Sequence, residues 1–536
     1  MKQNTIMEYW VMLRDGVKLY TLVQLPEPTG KFPLIIRRTP YASPEANPDL
    51  KPLQNEDTHG YAILTQHCRG TGRSEGICLA YLNERNDGLD LLEWIRKQPF
   101  YNGELFLAGG SYDASVHFSY LNTNPPDVKA AFLPVQDTER YNILYRKGFY
   151  KAGLHGGWVM KMYKRNLPIE RNFCPDTLRT MPLAGITKAI FNESVPEIEE
   201  DFLHPDPDDP FWQTPSGGSD YRNACNCCDI PILMITAFYD IYTEGVLDMW
   251  KNLTPKRRKQ CACIVTPFSH AFDPQQQMQS SDLPDFENGH LRDVCPDLMY
   301  HWFDHFRKGT PLPFIELGKM TYYRLFENRW HTTDQPLQAP EARHFYMAAD
   351  RTLQPNAPSA GEVTYLYNPY APASFAGGCC NNFGGMQVQD PPNSRYDIIS
   401  FLSEPFDKTV VCEGKAELEL HCRSTSQDTC FYVRLDIVRN DIALSLRDDI
   451  DSLCRLEKEY VPGQERTLKF VFAEHSFRLQ PGDRLRLDIS SSCVPHFQVH
   501  TNRKGLLALH TGADICRNTV MIGKSRLTLF CHPEEG

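Results

Sequence analysis

The residues best suited to chemistry lie around Ser111, where an apolar strand runs into a glycine-rich turn. Residues 107–115 read LAGGSYDAS, and a helix is predicted to begin just after the serine. A strained strand-to-helix turn of this kind, a nucleophile elbow, exposes a serine hydroxyl and needs small neighbours. Asp113 stands where the second glycine of the G-x-S-x-G pattern would be. Taken alone, the run therefore fits either a nucleophile elbow or a plain glycine-rich turn.

A serine nucleophile needs a general base, and that base needs an orienting carboxylate. In α/β-hydrolases the three residues follow in the order Ser, Asp, His, each after a strand. Asp240 follows the apolar run 231–236, and His270 follows the run 261–265. The order and the local context together predict a catalytic triad of Ser111, Asp240 and His270 that attacks ester or amide carbonyls.

The elements that would position this triad are strands and helices in alternation. Apolar runs at 32–36, 61–65 and 105–108 suit buried strands of a mostly parallel sheet. Apolar residues at helical spacing within 87–98 predict a helix that Pro99 ends. This alternation is typical of an α/β domain.

The rest of the chain divides by its pattern. Between 139 and 225, aromatic, basic and proline residues mix without strand alternation, which predicts an irregular helical insertion. After residue 316, alternating stretches separated by turn residues predict an antiparallel β-sandwich. The predicted domains are a first α/β-hydrolase part (1–138), a helical cap insertion (139–225), a second α/β-hydrolase part (226–315) and a β-sandwich (316–536).

The composition is that of an ordinary globular protein of 536 residues, with 41% hydrophobic residues and a net charge of -11. The densest basic run, 256–259, is too short to predict nucleic-acid binding. Because no long apolar stretch and no signal-peptide pattern occur, we expect no membrane span and a cytoplasmic location. The 18 cysteines are then expected to be reduced, and since their clusters lack zinc-ligand spacing, no metal is predicted.

Several short motifs follow one another along nearly the whole chain. They are RTPY at 38–41, RGTGRSEG at 69–76, GGSY at 109–112, FYD at 238–240, PFSH at 267–270 and PGDRLR at 481–486. In this order they resemble the cocaine esterase-like CocE/NonD family of the X-Pro dipeptidyl-peptidase (S15) superfamily. The resemblance implies an α/β-hydrolase fold with an inserted helical cap and a C-terminal jelly-roll β-sandwich.

The resemblance also implies how the oxyanion is held. The Tyr41 hydroxyl and the Tyr112 backbone N–H would donate the two hydrogen bonds, and no metal or organic cofactor is required. Pocket residues are expected from the aromatic side chains of the insertion, from the position two residues after the triad aspartate, and from a β-sandwich loop that reaches the active site in the esterases. These pocket candidates are Tyr145, Trp158, Tyr242, Cys379 and Cys380.

These observations predict a serine hydrolase that cleaves small acyl esters, and also amides, through an acyl-enzyme, with assembly into a homo-oligomer left open. An X-Pro dipeptidyl-peptidase is less favoured because the chain starts directly at the hydrolase strands. An α-amino-acid ester hydrolase or acylase would place acidic residues just after the triad aspartate, where residues 241–243 read IYT, although Asp137 and Glu139 would supply a charge. The alternative from another class is a decayed hydrolase that binds through its β-sandwich, which the intact set of site residues argues against.

Overall fold

The computed structural model describes residues 4–42, 56–163, 180–270, 286–379, 384–456 and 458–533. Cys380, one of the pocket candidates, lies outside these residues. Two large sheets organise the chain, one before residue 334 and one after residue 340. We call the part that contains the second sheet the β domain.

The first sheet has central strands that are buried on both faces, as parallel strands covered by helices are. Before the insertion come β1 (Thr5–Met12), β2 (Lys18–Leu25), β3 (Phe32–Thr39), β4 (Ala62–His67), β5 (Tyr101–Ala108) and β6 (Val128–Phe132). The insertion adds a small hairpin of β7 (Tyr145–Arg146) and β8 (Phe149–Tyr150). After it come β9 (Ile232–Tyr239), β10 (Ala262–Ser269), β11 (Met320–Arg324) and β12 (Arg329–Thr333).

The strands of the first sheet lie in the order β1-β2-β4-β3-β5-β6-β9-β10-β11-β12. From β4 to β11 neighbouring strands run parallel, while β1, β2 and β12 pair antiparallel at the two sides. The carboxyl ends of β5, β9 and β10 therefore meet at one edge of the sheet, and these are the strands that precede the three predicted triad residues.

Helices cover both faces of this sheet and make up much of the insertion. They are α1 (Glu84–Ile95), α2 (Tyr112–Leu121), α3 (Arg140–Leu144), α4 (Gly157–Tyr163), α5 (Ile186–Phe191), α6 (Pro196–Glu199), α7 (Thr243–Lys251), α8 (Pro255–Arg258), α9 (Leu291–Val294) and α10 (Leu298–Lys308). The buried indole of Trp302 on α10 donates a hydrogen bond of 3.0 Å to the backbone oxygen of Ala131 and so fixes that helix to the sheet. No helix among the described residues has both the length and the apolar character needed to cross a bilayer.

The second sheet consists mainly of antiparallel pairs. Its strands are β13 (Glu341–Met347), β14 (Thr352–Gln354), β15 (Gly361–Tyr367), β16 (Ile399–Ser403), β17 (Val410–Gly414), β18 (Glu417–Ser424), β19 (Cys430–Arg439), β20 (Ile442–Ser452), β21 (Arg466–Val471), β22 (His475–Leu479), β23 (Arg484–Ser490), β24 (Cys516–Ile522) and β25 (Arg526–Cys531). The prediction of an α/β-hydrolase followed by a β-rich domain is thus confirmed.

The division expected at residue 316 lies earlier in the chain than the change of sheet. β11 pairs in parallel with β10, and β12 pairs with β11, so residues 320–333 still belong to the first sheet. The alternating pattern that begins here indicates a strand with two different faces. It carries no information about which sheet the strand joins, because edge strands of both sheets share it.

Candidate active site

Ser111 lies at the turn between β5 and α2, in a backbone conformation that few L-residues adopt. Its φ is 59° and its ψ is -130°. A Cβ added at Gly109 would lie 2.5 Å from the carbonyl oxygen of Asp113, whereas one at Gly110 would have ordinary van der Waals space. The turn therefore requires a glycine at position 109, where the backbone approaches that of Asp113, and it does not require a glycine at position 113. The turn has the geometry of a nucleophile elbow.

The structure brings Ser111, His270 and Asp240 together at the carboxyl edge of the first sheet. The Oγ of Ser111 lies 2.8 Å from Nε2 of His270, and Nδ1 of the same ring lies 2.8 Å from Oδ1 of Asp240. Asp240 is fully buried, and the Thr236 hydroxyl and the Tyr242 N–H donate to its carboxylate at 3.1 and 3.2 Å. With Nδ1–H directed at the carboxylate, the imidazole presents the lone pair of Nε2 to the serine hydroxyl, as a general base must.

The two predicted oxyanion donors differ in how closely the structure ties them to this triad. The N–H of Tyr112 begins α2 and has no hydrogen-bond acceptor among the described residues, which leaves it available as a donor. Tyr41 is half-buried against the core. Burial raises the pKa of Tyr81 and Tyr242, and the nearby Tyr41 hydroxyl contributes to both shifts. Because the Tyr242 ring lies 5.5 Å from the His270 ring, Tyr41 belongs to the surroundings of the triad.

A buried polar network holds the elbow from below. The guanidinium of Arg38 and the carboxylate of Glu84 form an ion pair of 3.1 Å with side chains 0% and 6% exposed. Glu84 also accepts a hydrogen bond of 2.9 Å from the Tyr112 hydroxyl, which itself accepts one of 2.9 Å from the Tyr81 N–H. The Tyr221 hydroxyl donates to the Tyr81 carbonyl at 2.8 Å. Tyr81 is thereby held at a φ of 72°, a second strained residue beside the elbow.

Of the predicted pocket residues, Tyr242 contacts the triad and Trp158 packs on the residue that follows the nucleophile. The Trp158 ring is 5.0 Å from the Tyr112 ring and 6.2 Å from the Tyr81 ring. Tyr242 makes an edge-to-face contact with His270 and follows the triad aspartate by two residues. Both aromatic side chains are buried, one against Tyr112 and the other against the His270 ring.

The other two described candidates lie elsewhere. The Tyr145 hydroxyl donates to the Asp201 backbone oxygen at 2.7 Å, and its side chain lines a cleft of about 1060 Å³ between the insertion and the β domain. Cys379 lies behind the triad acid, where its sulfur is 3.7 Å from the backbone oxygen of Phe238. The structure therefore does not bring all of the pocket candidates into one cavity around the serine.

The acidic residues considered as a site for a substrate ammonium are engaged by the protein. Asp137 is buried, burial raises its pKa to about 6, and it accepts a hydrogen bond of 2.9 Å from the Glu139 N–H. The Glu139 carboxylate pairs with Arg222 at 2.9 Å. Asp137 lines the large cleft rather than contacting the triad. No group of three or more metal-ligating side chains suited to a metal ion occurs in the described part of the chain.

Sequence reasoning missed the residues that support the site. Arg38 lies within the RTPY motif, but no motif given above contains Glu84, and the sequence does not indicate that the two side chains pair across 46 positions. The conformation of Tyr81 could not be predicted, because the residues next to it in the sequence do not indicate a positive φ. The contacts from the β domain described below come from more than 200 positions away.

The sequence matches two models of protein families. Residues 15–272 match the family X-Pro dipeptidyl-peptidase (S15 family), and residues 314–527 match the family X-Pro dipeptidyl-peptidase C-terminal non-catalytic domain. Together the two models account for most of the chain.

Individual relatives agree with these matches. The cocaine esterase of a Rhodococcus species is 23% identical over 559 residues, an alignment that covers 94% of each chain. An aminopeptidase from a marine sediment archaeon superposes with a TM-score of 0.83 at 20% identity, covering 99% of this chain and 97% of its own. An α-amino acid ester hydrolase superposes with a TM-score of 0.81 at 19% identity, with the same coverage. The chain belongs to the X-Pro dipeptidyl-peptidase (S15) family and is a serine hydrolase.

Proposed function

We propose that the protein hydrolyses carboxylic esters through an acyl-enzyme formed on Ser111. The observation that carries this proposal is the continuous line of hydrogen bonds from the Ser111 hydroxyl through His270 to the buried Asp240, with both links at 2.8 Å. A serine at a strained elbow, a base in contact with it and a buried carboxylate behind the base are the three parts that nucleophilic acyl transfer needs.

The reaction follows from these positions. As Ser111 Oγ attacks the carbonyl carbon of the ester, His270 Nε2 takes the hydroxyl proton, and Asp240 stabilises the imidazolium that forms. The tetrahedral intermediate then collapses when His270 returns the proton to the leaving alcohol. Water, activated by the same imidazole, attacks the acyl-enzyme and releases the acid.

The negative charge on the intermediate needs donors that are already in place. We assign this role to the Tyr112 N–H and the Tyr41 hydroxyl. Removing one such donor lowers kcat by about 100-fold or more. We therefore expect Tyr41→Phe to reduce kcat by roughly 100-fold, whereas Tyr145→Phe, which removes a hydroxyl bonded to Asp201 in the insertion, should leave kcat nearly unchanged. Equal effects of the two substitutions would argue against the role of Tyr41.

The surroundings of the triad favour a neutral acyl group. Trp158 packs on Tyr112 and Tyr242 packs on His270, and residues 241–243 place no carboxylate beside Asp240. The relative named cocaine esterase also points to an ester substrate. A small-molecule ester with an apolar acyl part is thus the substrate class that these contacts support best.

Labelling with a fluorophosphonate tests the nucleophile. We expect wild type to be labelled and Ser111→Ala to be unlabelled. Ser115→Ala is the matched control, because Ser115 is a fully buried serine one turn along α2 and should label like wild type. Labelling that survives Ser111→Ala would exclude Ser111 as the nucleophile.

A substrate panel tests the chemical class. We expect p-nitrophenyl esters of short and aromatic acids to be hydrolysed faster than Gly-Pro-p-nitroanilide. Faster turnover of the Gly-Pro amide than of every ester would replace the esterase proposal with a dipeptidyl-peptidase.

A further inference from the structure

The residues just before the triad aspartate are held by the β domain. Phe238 and Tyr239, both fully buried, are the last two residues of β9 and directly precede Asp240; we call these three residues, where the strand leads into the loop, the acid loop. The Tyr239 hydroxyl donates to the Ser445 backbone oxygen at 3.0 Å. Arg447 donates from Nη1 to the Phe238 backbone oxygen. Ser445 and Arg447 both lie on β20, more than 200 positions along the chain.

Arg447 is a buried cation whose hydrogen bonds all go to backbone carbonyls. It is 1% exposed and donates to the oxygens of Ala473, Glu474, Leu446 and Phe238. No carboxylate of the described residues forms a salt bridge with Arg447, and the carboxylate of Glu474 pairs instead with Lys251 and Lys415. Its Cζ lies 5.3 Å from the Phe238 ring centre and 5.5 Å from that of Tyr239.

This arrangement ties the acid loop to a rigid partner. A guanidinium is planar, and its donors point in fixed directions, so each carbonyl is held at a set place around it. If the Phe238 carbonyl moved away, a buried N–H of a charged group would lose its acceptor, which is unfavourable. The loop is therefore fixed relative to β20 as well as to its own sheet.

The same strand also contacts the segment after the acid. Arg146 of the insertion pairs with Glu244 on α7 at 3.1 Å, four residues beyond Asp240. Its other nitrogens pair with Asp448 at 3.3 Å and Asp449 at 3.2 Å, both on β20. β20 is thus linked to both flanks of the acid loop, directly on one side and through Arg146 on the other.

We propose that β20 of the β domain positions the triad aspartate, and that Arg447 is the positioning residue. This inference rests on the proposed function, in which Asp240 orients His270. The Thr236 and Tyr242 bonds fix the carboxylate within its loop, whereas Arg447 and Ser445 fix the loop against the rest of the molecule. The domain whose family description is non-catalytic then belongs to the machinery that aligns the triad.

The first test replaces the guanidinium and keeps a long apolar side chain. Displacing a catalytic group by about 1 Å lowers the rate by about 100-fold, so we expect Arg447→Met to lower kcat 10- to 100-fold with KM within about twofold. The matched control is Arg257→Met. Arg257 on α8 is similarly buried and also donates to backbone carbonyls, but those of Cys225 and Ile230, which lie before β9 begins and so at the opposite end of that strand from Asp240. A loss of kcat that is equal in the two variants would overturn the proposal.

A double-mutant cycle separates positioning from a general loss of structure. If Arg447 acts through Asp240, then adding Arg447→Met to Asp240→Asn should change the residual kcat by less than twofold, because the carboxylate it aligns is already absent. Independent, multiplicative losses would show that Arg447 acts by another route and would overturn the inference. Arg447→Lys keeps the charge with a single donor centre and should lose only several-fold, so it replaces the Met variant in the cycle if that variant does not fold.

Fluorophosphonate labelling keeps the two proposals distinguishable. If wild type fails to label at Ser111, the proposed function fails. If wild type labels and Arg447→Met hydrolyses esters at the wild-type kcat, the triad stands and only the positioning role is refuted.

Discussion

The nucleophile and the acid of the candidate site are held in different ways. The elbow at Ser111 is supported from within its own domain, by Arg38 on β3, Glu84 on α1 and Tyr112 on α2. The acid loop at Asp240 is supported from the β domain through hydrogen bonds that span 206 and 209 positions. The nucleophile therefore depends on contacts among the first part of the chain, and the acid depends on docking of two domains.

The chemistry of the two supports differs as well. Below the elbow a carboxylate and a guanidinium neutralise each other in a buried site, whereas behind the acid a lone guanidinium is solvated by carbonyls. Breaking the first leaves an unpaired buried charge and should act mainly on stability. Loosening the second moves a catalytic group and should act mainly on rate.

The largest effect is expected from breaking the ion pair below the elbow. Glu84→Gln leaves the Arg38 charge without its nearest partner, and removing one member of a buried pair costs about 3 kcal/mol or more of unfolding free energy. Denaturant unfolding measures the change. Asp229→Asn is the control, because the pair of Asp229 with Lys256 is exposed to solvent and its loss should leave the unfolding free energy nearly unchanged. A loss of unfolding free energy smaller than about 1 kcal/mol in Glu84→Gln would contradict the idea that the support of the elbow acts mainly on stability.

Asp137 lies between the elbow and the acid loop, because it follows β6 and β6 lies between β5 and β9 in the sheet. A substitution of Asp137 therefore tests the region between the two supports. Burial raises its pKa from 3.8 to about 6, so the folded state binds the proton more tightly than the unfolded state does. Its contribution to stability is complete below about pH 4 and is lost as the pH rises through about 6. Asp137→Asn lacks this titration.

The stability of Asp137→Asn relative to wild type should therefore rise between pH 4 and pH 7, by on the order of 2 kcal/mol. Denaturant unfolding at several pH values measures this difference. A difference that stays constant across that range would show that the carboxyl does not titrate there.

Tyr112→Phe tests the elbow more gently. It keeps the backbone N–H but removes the hydroxyl that donates to Glu84 and accepts from the Tyr81 N–H. We expect a loss of about 1.5 kcal/mol in unfolding free energy, because a buried donor is left without an acceptor. The kcat for ester hydrolysis should change less than threefold. A large fall in kcat with unchanged stability would show that the support of the elbow acts on rate and not on stability.

The smallest stability effect is expected on the acid side. Tyr239→Phe removes one hydrogen bond to the Ser445 carbonyl, which is worth about 1 kcal/mol or less, yet kcat should fall several-fold because the acid loop is loosened. Tyr367→Phe is matched to it, since that buried hydroxyl makes a similar bond of 2.9 Å to the His500 carbonyl far from the acid loop. Comparable kcat values for the two variants would remove the distinction between the two supports.

The same contrast explains what the sequence allows one to predict. Ser111, Asp240 and His270 could be placed after their strands because apolar runs and turn residues are local signals. The fold class followed from the alternation of such runs. The neighbourhood of Arg447 could not be predicted, because its sequence shows only an alternating strand and not the surface against which that strand packs. Likewise, β11 belongs to the first sheet because it pairs with β10, and the local sequence of β11 does not indicate which strand it pairs with.

The distance along the chain between the acid loop and β20 has a consequence for synthesis on the ribosome. Arg38, Glu84 and Tyr112 are all made within about the first quarter of the protein, whereas Arg447 is added roughly 200 residues after Asp240, on the order of ten seconds or more at ordinary elongation rates. During that interval the nascent chain carries its nucleophile without the contacts that align its acid. If Arg447 positions Asp240 as proposed, the triad is therefore aligned only near the end of translation.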